Sequence, residues 1–109
     1  MDRGIEKLAR VFKVLGDYNR LGIVMVISKA SRTVTDIINT TGMSQTLVSF
    51  HLRALRKAKI VTTRREGPFI YYSLVNPSLM DIIDELSHAI SNSDPDKENV
   101  PETVSSRGW

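Results

Sequence analysis

Residues 37–65 carry six basic side chains (Arg53, Arg56, Lys57, Lys59, Arg64, Arg65) and no acidic one. The segment is also sharply punctuated. Thr41-Gly42 ends a short helix, because glycine takes the left-handed conformation that a tight inter-helix turn needs. Ser44 then serves as the N-cap of a second helix that runs to about Lys57. No Glu or Gln stands three residues after Ser44, so the reciprocal capping box is missing there. Two runs rich in β-branched and aromatic residues follow, at 60–65 and 69–74, joined by Glu66-Gly67-Pro68. Few folds accommodate helix, tight turn, polar helix and basic hairpin in that order.

The flanking sequence completes the pattern. Ile5, Leu8, Ala9, Phe12 and Leu15 form a helical stripe over residues 3–15. Gly16-Asp17 stops it, and Asn19 is a candidate cap for a second helix through Leu21, Ile23, Val24, Met25 and Ile27. That helix is apolar on several sides and belongs at the centre of the core. Ser31-Arg32 breaks it, and Thr33 or Thr35 opens a third helix with Val34, Ile37 and Ile38 inward. Asn76-Pro77-Ser78 opens a fifth, striped by Leu79, Ile82, Ile83, Leu86 and Ala89-Ile90. The predicted fold is mainly α with a small β-hairpin: a winged helix-turn-helix of five helices plus a two-stranded wing. Residues 1–91 form its domain. From Asn92 the composition turns to Ser, Asp, Pro, Asn and Glu, which predicts a disordered tail over 92–109.

At 109 residues the chain has length for one modest core. It has no cysteine, which excludes disulfides, thiolate metal sites and a thiol redox switch. The absence of a long apolar run or signal-peptide core predicts a cytoplasmic protein without a membrane partner. The net charge of +3 divides into +5 over residues 1–91 and −2 over 92–109, a balance suited to a polyanion. No Ser/His/Asp set, Gly-rich phosphate loop or paired carboxylates point to an enzyme. Ser49 and His51, two residues apart on a helix, point away from each other.

At 100° per residue, Val48, Leu52 and Leu55 share the buried face of the fourth helix. Thr46, Ser49, Phe50, Arg53 and Lys57 lie on or near the opposite face, and Gln45 projects from the first turn beside Ser44. This face suits the major groove of duplex DNA. Gln45 can pair bidentately with adenine, Thr46 and Ser49 can reach base edges, and Phe50 can meet a thymine methyl. Arg53, Arg56 and Lys57 suit phosphate or guanine, and Arg64 and Arg65 suit phosphate or the minor groove at the wing. The plainer alternatives are a solvated basic helix and a Phe50 packed on a neighbouring side chain or the wing. His51 points sideways toward the edge of the core.

Gly16-Asp17-x-x-Arg20-Leu21, Ser44-Gln45-x-x-Val48-Ser49-x-His51-Leu52 and Arg65-Glu66-Gly67-x-x-x-Tyr71-Tyr72 together resemble the ArsR/SmtB family of bacterial and archaeal repressors, over about residues 5–90. The resemblance implies a homodimer built from the first and last helices, an inverted-repeat promoter site, and release of DNA when an inducer arrives. Ile5, Leu8, Phe12, Leu79, Ile82, Ile83, Leu86 and Ile90 fit that dimer seam, although both stripes must partly pack on their own subunit. Departures from the family are informative. Thr33 and Thr35 stand where soft-metal sensors have Cys-x-Cys. Asn76, Ser78, Ala89 and Asn92 stand where zinc sensors have ligands, with His88 one place off register. Phe50 often corresponds to a histidine. Asp81, Asp84, Glu85 and His88 share one side of the last helix, which reads more simply as a solvated acidic face than as a cross-dimer metal site.

The leading expectation is therefore a homodimeric, sequence-specific transcriptional repressor, with neither a metal nor a thiol sensor and with no cofactor. A second reading is a protein-interaction or heterodimerising winged-helix module whose DNA face is incidental. A third is a regulator that takes a small organic inducer between its dimer helices.

Overall fold

The computed structural model describes residues 2–93. They form α1 (Arg3–Leu15), α2 (Tyr18–Lys29), α3 (Val34–Thr41), α4 (Gln45–Lys57), β1 (Val61–Glu66), β2 (Phe69–Leu74) and α5 (Ser78–Ser93). By packing, the chain divides into a unit ending at Pro77 and a second beginning at Ser78. Asn92 and Ser93, expected in the tail, continue α5. The rest of the predicted tail lies outside the described residues.

Capping side chains set the helix starts. Asp2 caps α1, its carboxylate accepting the Gly4 N–H at 2.6 Å. Asp17, and not Asn19, caps α2. Asp17 is extended (φ −101°, ψ 130°) and accepts the N–H groups of Asn19 and Arg20 at 2.9 and 3.1 Å. Asn19 is already inside the helix and supplies one of the orphan donors that the cap satisfies. Thr33 caps α3 through a complete capping box: its hydroxyl accepts the Asp36 N–H, and the Asp36 carboxylate accepts the Thr33 N–H. Aspartate here does what Glu or Gln more often does.

The core of the first unit is built on α2. Ile23, Val24 and Ile27 are buried against α3 and α4, which contribute Ile37, Val48, Leu52 and Leu55. Ile60 and Val61 at the start of β1 and Leu74 at the end of β2 close it from the hairpin side. The strands pair antiparallel from Val61 with Leu74 to Glu66 with Phe69, leaving a two-residue loop, Gly67-Pro68. Gly67 has φ +59°, as the first position of a primed hairpin turn requires, and Pro68 falls where no ladder N–H is needed. The wing is also tied to the helices. Arg32 and Tyr72 exchange both backbone hydrogen bonds, at 3.0 and 2.7 Å, as an isolated antiparallel bridge.

Two left-handed residues bracket α4. Gly42 (φ 77°) donates its N–H to the Ile38 carbonyl and turns the chain from α3 toward α4. Lys59 (φ 61°) follows the end of α4, where the Ile60 N–H returns to the Leu55 carbonyl at 3.0 Å. This is the six-to-one closure of a Schellman ending, with lysine where glycine is usual.

In the second unit, α5 carries the expected stripe. Ile82, Leu86 and Ile90 are exposed, Leu79 is half-buried, and Ile83 is buried within the single chain. No helix among the described residues is long and apolar enough to cross a membrane.

Candidate nucleic-acid interface

The polar face of α4 follows from what the opposite face must bury. Val48 and Leu55 are fully buried and Leu52 nearly so, which fixes the rotation of the helix. Gln45, Thr46, Phe50, Arg53, Arg56 and Lys57 are consequently exposed, and Ser49 is half-buried. Ser44 sits at the tip, its hydroxyl oxygen accepting the Leu47 N–H at 3.1 Å. That oxygen is engaged in capping, and a hydroxyl can donate its proton while it accepts.

Ser49, Arg53, Arg56 and Lys57 line one open groove of about 580 Å³ together with Leu52 and with Tyr72 of β2. Tyr72 entered the sequence reading only as a strand former and as part of the wing motif. The Arg32 bridge places it beside α4, a cross-element relation that no local spacing reports. The groove gathers three cations, a hydroxyl and a phenol. Among the described residues, none of Arg53, Arg56, Lys57 and Arg65 forms an ion pair. Their charges are available to an external anion.

The two wing arginines differ. Arg65 is exposed, whereas Arg64 donates from Nε to Glu66 Oε2 at 2.9 Å and forms a close ion pair through Nη2. Its guanidinium also lies 5.2 Å from the centre of the Tyr71 ring. Glu66 at the hairpin tip therefore offsets Arg64, and more than half of each side chain stays in solvent. Such an exposed pair contributes little stability and can open for a phosphate.

Phe50 is 55% exposed, yet its inner edge is covered. The His51 ring meets it edge-on, centroids 5.2 Å apart, and the Arg20 guanidinium lies 5.9 Å from its centre. Phe50 is thus both outward-facing and held by neighbours. His51 is buried, in keeping with its expected place at the core edge. Asp17 lies 3.9 Å from His51 Nε2. The Arg20 backbone N–H above all, with the Asn19 N–H, holds the Asp17 carboxyl below its ordinary 3.8 in spite of the opposing effect of desolvation. At the start of α3, hydrogen bonds from the Thr33 backbone N–H and then its side chain likewise hold the Asp36 carboxyl below its ordinary value.

Thr33 and Thr35 line a second groove with Val34, Asp36 and residues 68–71 of the wing. Threonine hydroxyls there offer no soft ligand. Among the described residues, no group of three or more His, Cys, Asp or Glu side chains is placed to hold a metal ion. Asp81, Asp84, Glu85 and His88 are not gathered into one within a single chain.

A helix whose polar, basic face is turned outward behind a tight glycine turn, with a hairpin packed at its C-terminal side, defines a winged helix-turn-helix DNA-binding protein. Comparison with known proteins narrows this. Residues 17–63 match the family described as bacterial regulatory protein, arsR family. The transcriptional repressor SdpR of Bacillus subtilis is 34% identical over 79% of this chain and 96% of its own length. The crystal structure of NolR from Sinorhizobium fredii aligns with a TM-score of 0.72 at 33% identity, covering 80% of this chain and 87% of that one. The homodimeric winged helix-turn-helix DNA-binding domain from Mycobacterium bovis, solved in solution, aligns with a TM-score of 0.72 at 31% identity, covering 81% and 87%. The chain belongs to the ArsR family. It is a DNA-binding transcriptional regulator of that family and not an enzyme.

Proposed function

We propose that the protein is a homodimeric repressor that places α4 of each subunit in successive major grooves of an inverted-repeat operator, and that it does so without a metal or thiol sensor. The observation that carries this reading is the groove formed by Ser49, Arg53, Arg56, Lys57 and Tyr72, beside an exposed first turn bearing Gln45 and Thr46. Cations at the groove hold the phosphates and set register, and the first turn reads base edges. Exposed Ile5, Leu8 and Phe12 give α1 one apolar surface for a second subunit, and exposed Ile82, Leu86 and Ile90 give α5 another. Leu79 and Ile83, on the same stripe of α5, are respectively half-buried and buried already in the single chain. A homodimeric relative and a relative that represses transcription support the same assignment.

The test is selection of duplexes from a randomised pool, followed by footprinting on the selected sequence. The expected product is an inverted repeat with half-sites about one helical turn apart. With about three phosphates neutralised per subunit, log K should fall with log salt at a slope near −5. Gln45→Ala should cost about 1–3 kcal/mol on the selected duplex and little on scrambled DNA. Failure to enrich any repeat would sink the proposal.

A further inference from the structure

Arg20, in the first turn of α2, joins three parts of the molecule that are distant in sequence. Its Nε donates to His51 Nδ1 at 3.1 Å, across 31 residues. Its Nη1 reaches the Val14 carbonyl near the end of α1, at a long 3.4 Å. The face of the same guanidinium lies over the Phe50 ring. Its backbone N–H is held by the Asp17 carboxylate, so the root of the side chain is fixed as well. A guanidinium presents its donors in one rigid plane. Three contacts to that plane therefore fix its orientation, and with it the orientation of what it touches.

What it touches is α4, at adjacent residues with opposite fates. His51 is buried at 4% exposure, whereas Phe50 stands outward among the groups proposed to meet DNA. Because Nε is a donor, His51 Nδ1 must be an acceptor. The imidazole is then neutral, with its proton on Nε2, on the side toward Asp17. The imidazole and the Phe50 ring meet at 71°, and the same guanidinium lies over the Phe50 ring. Two of Arg20's nitrogens are turned inward, to His51 and Val14, and so away from a phosphate.

We propose that Arg20 is a positioning residue for sequence reading: through His51 and the Phe50 ring it sets the attitude in which Phe50 meets a base pair, without contacting DNA itself. This rests on the proposed DNA-reading role of α4. Lysine keeps the charge but cannot both donate to Nδ1 in the ring plane and lie flat over Phe50. The specificity consequence thus follows from the shape of the guanidinium rather than from its charge.

The experiment uses the full chain, the duplex that it selects from a randomised pool, and a scrambled duplex of equal length. Arg20→Lys and Arg20→Ala should each weaken binding to the selected duplex about tenfold or more, within the range of one lost base contact. Binding to the scrambled duplex should change little, with the salt slope unchanged. Combining Arg20→Ala with Phe50→Ala should cost no more than the worse single change. Equal loss on both duplexes with a shallower salt slope would mean that Arg20 is a phosphate contact, and full retention by Arg20→Lys would mean that charge suffices. Either result overturns the proposal. Imidazole nitrogen NMR on the free proteins gives an independent reading that does not require DNA. His51 should appear as the neutral Nε2–H tautomer with a hydrogen-bonded Nδ1, and that signal should shift in Arg20→Lys; an unchanged signal refutes the contact. If the wild-type protein selects no duplex, the proposed function fails, and the positioning contact is still decided by the His51 signal.

Discussion

Phe12 offers the sharpest test of the subunit seam. It lies on the apolar stripe of α1 and remains 52% exposed in the single chain. A phenylalanine buries about 150–250 Å² when covered, so about 100 Å² awaits a partner. At about 25 cal/mol per Å², covering it contributes about 2.5 kcal/mol per copy. A twofold seam contains every position twice. Phe12→Ala keeps one methyl and loses most of the ring, so the dimer should weaken by about 4 kcal/mol, or about a thousandfold in its dissociation constant. Half of the ring is already solvated, so the loss from the single chain should be far smaller. Sedimentation equilibrium over nanomolar to micromolar protein reads the constant directly, and far-ultraviolet circular dichroism checks that the helices survive. Operator affinity should fall in parallel, because each half-site needs its own α4. A dimer constant unmoved by Phe12→Ala, with helicity intact, would refute the placement of α1 in the seam.

Three smaller perturbations test the local account. Lys59 occupies the left-handed region at the end of α4. Lys59→Gly removes the Cβ conflict, which costs about 1–2 kcal/mol, against the greater freedom of glycine in the unfolded chain. A net gain of about 0.5–1 kcal/mol should appear as a higher urea midpoint, and a loss would show that the lysine side chain contributes more than its backbone costs. Ser44→Ala deletes the oxygen that accepts the Leu47 N–H and should lower stability by about 1 kcal/mol, with hydrogen exchange rising first in the first turn of α4. Asp17 and Asp36 are both held below their ordinary 3.8 by hydrogen bonds that exist only in the fold. Their contribution is therefore complete above that value and is lost as pH falls through the folded pKa values. The urea midpoint should decline below about pH 4, and the decline should be shallower in the Asp17→Asn/Asp36→Asn double variant; parallel curves would show that other groups dominate.

Most of the fold was legible along the chain because its signals are short-ranged. Gly42 and Ser44 act within a few residues, and the Val48, Leu52 and Leu55 spacing assigns the buried side of α4 without knowledge of what covers it. Where the local reading strayed, the competing group was also local. Asp17 took the cap suggested for Asn19, and Asp36 closed a box at Thr33 that a search for Glu or Gln passes over. The end of α4 near Lys57 was legible, but the left-handed Lys59 that closes it was not, since lysine rarely marks such a position.

The relations that build the interface came from packing. Tyr72 joins Ser49, Arg53, Arg56 and Lys57 because a backbone bridge to Arg32 draws β2 against the helices. The Arg64 pair is the local exception, because Glu66 stands two residues on along β1 and so on the same face of the strand. Arg20 reaches His51 and Phe50 because burial of Ile23, Val24 and Ile27 sets α2 against α4. Sequence by itself determined which residues are helical, which side of α4 is apolar, and that the opposite side is basic, since periodicity, caps and charge are properties of neighbours in the chain. Only the tertiary structure decided which cations are free and which side chain braces Phe50, because those depend on groups that the hydrophobic core brings together from far apart.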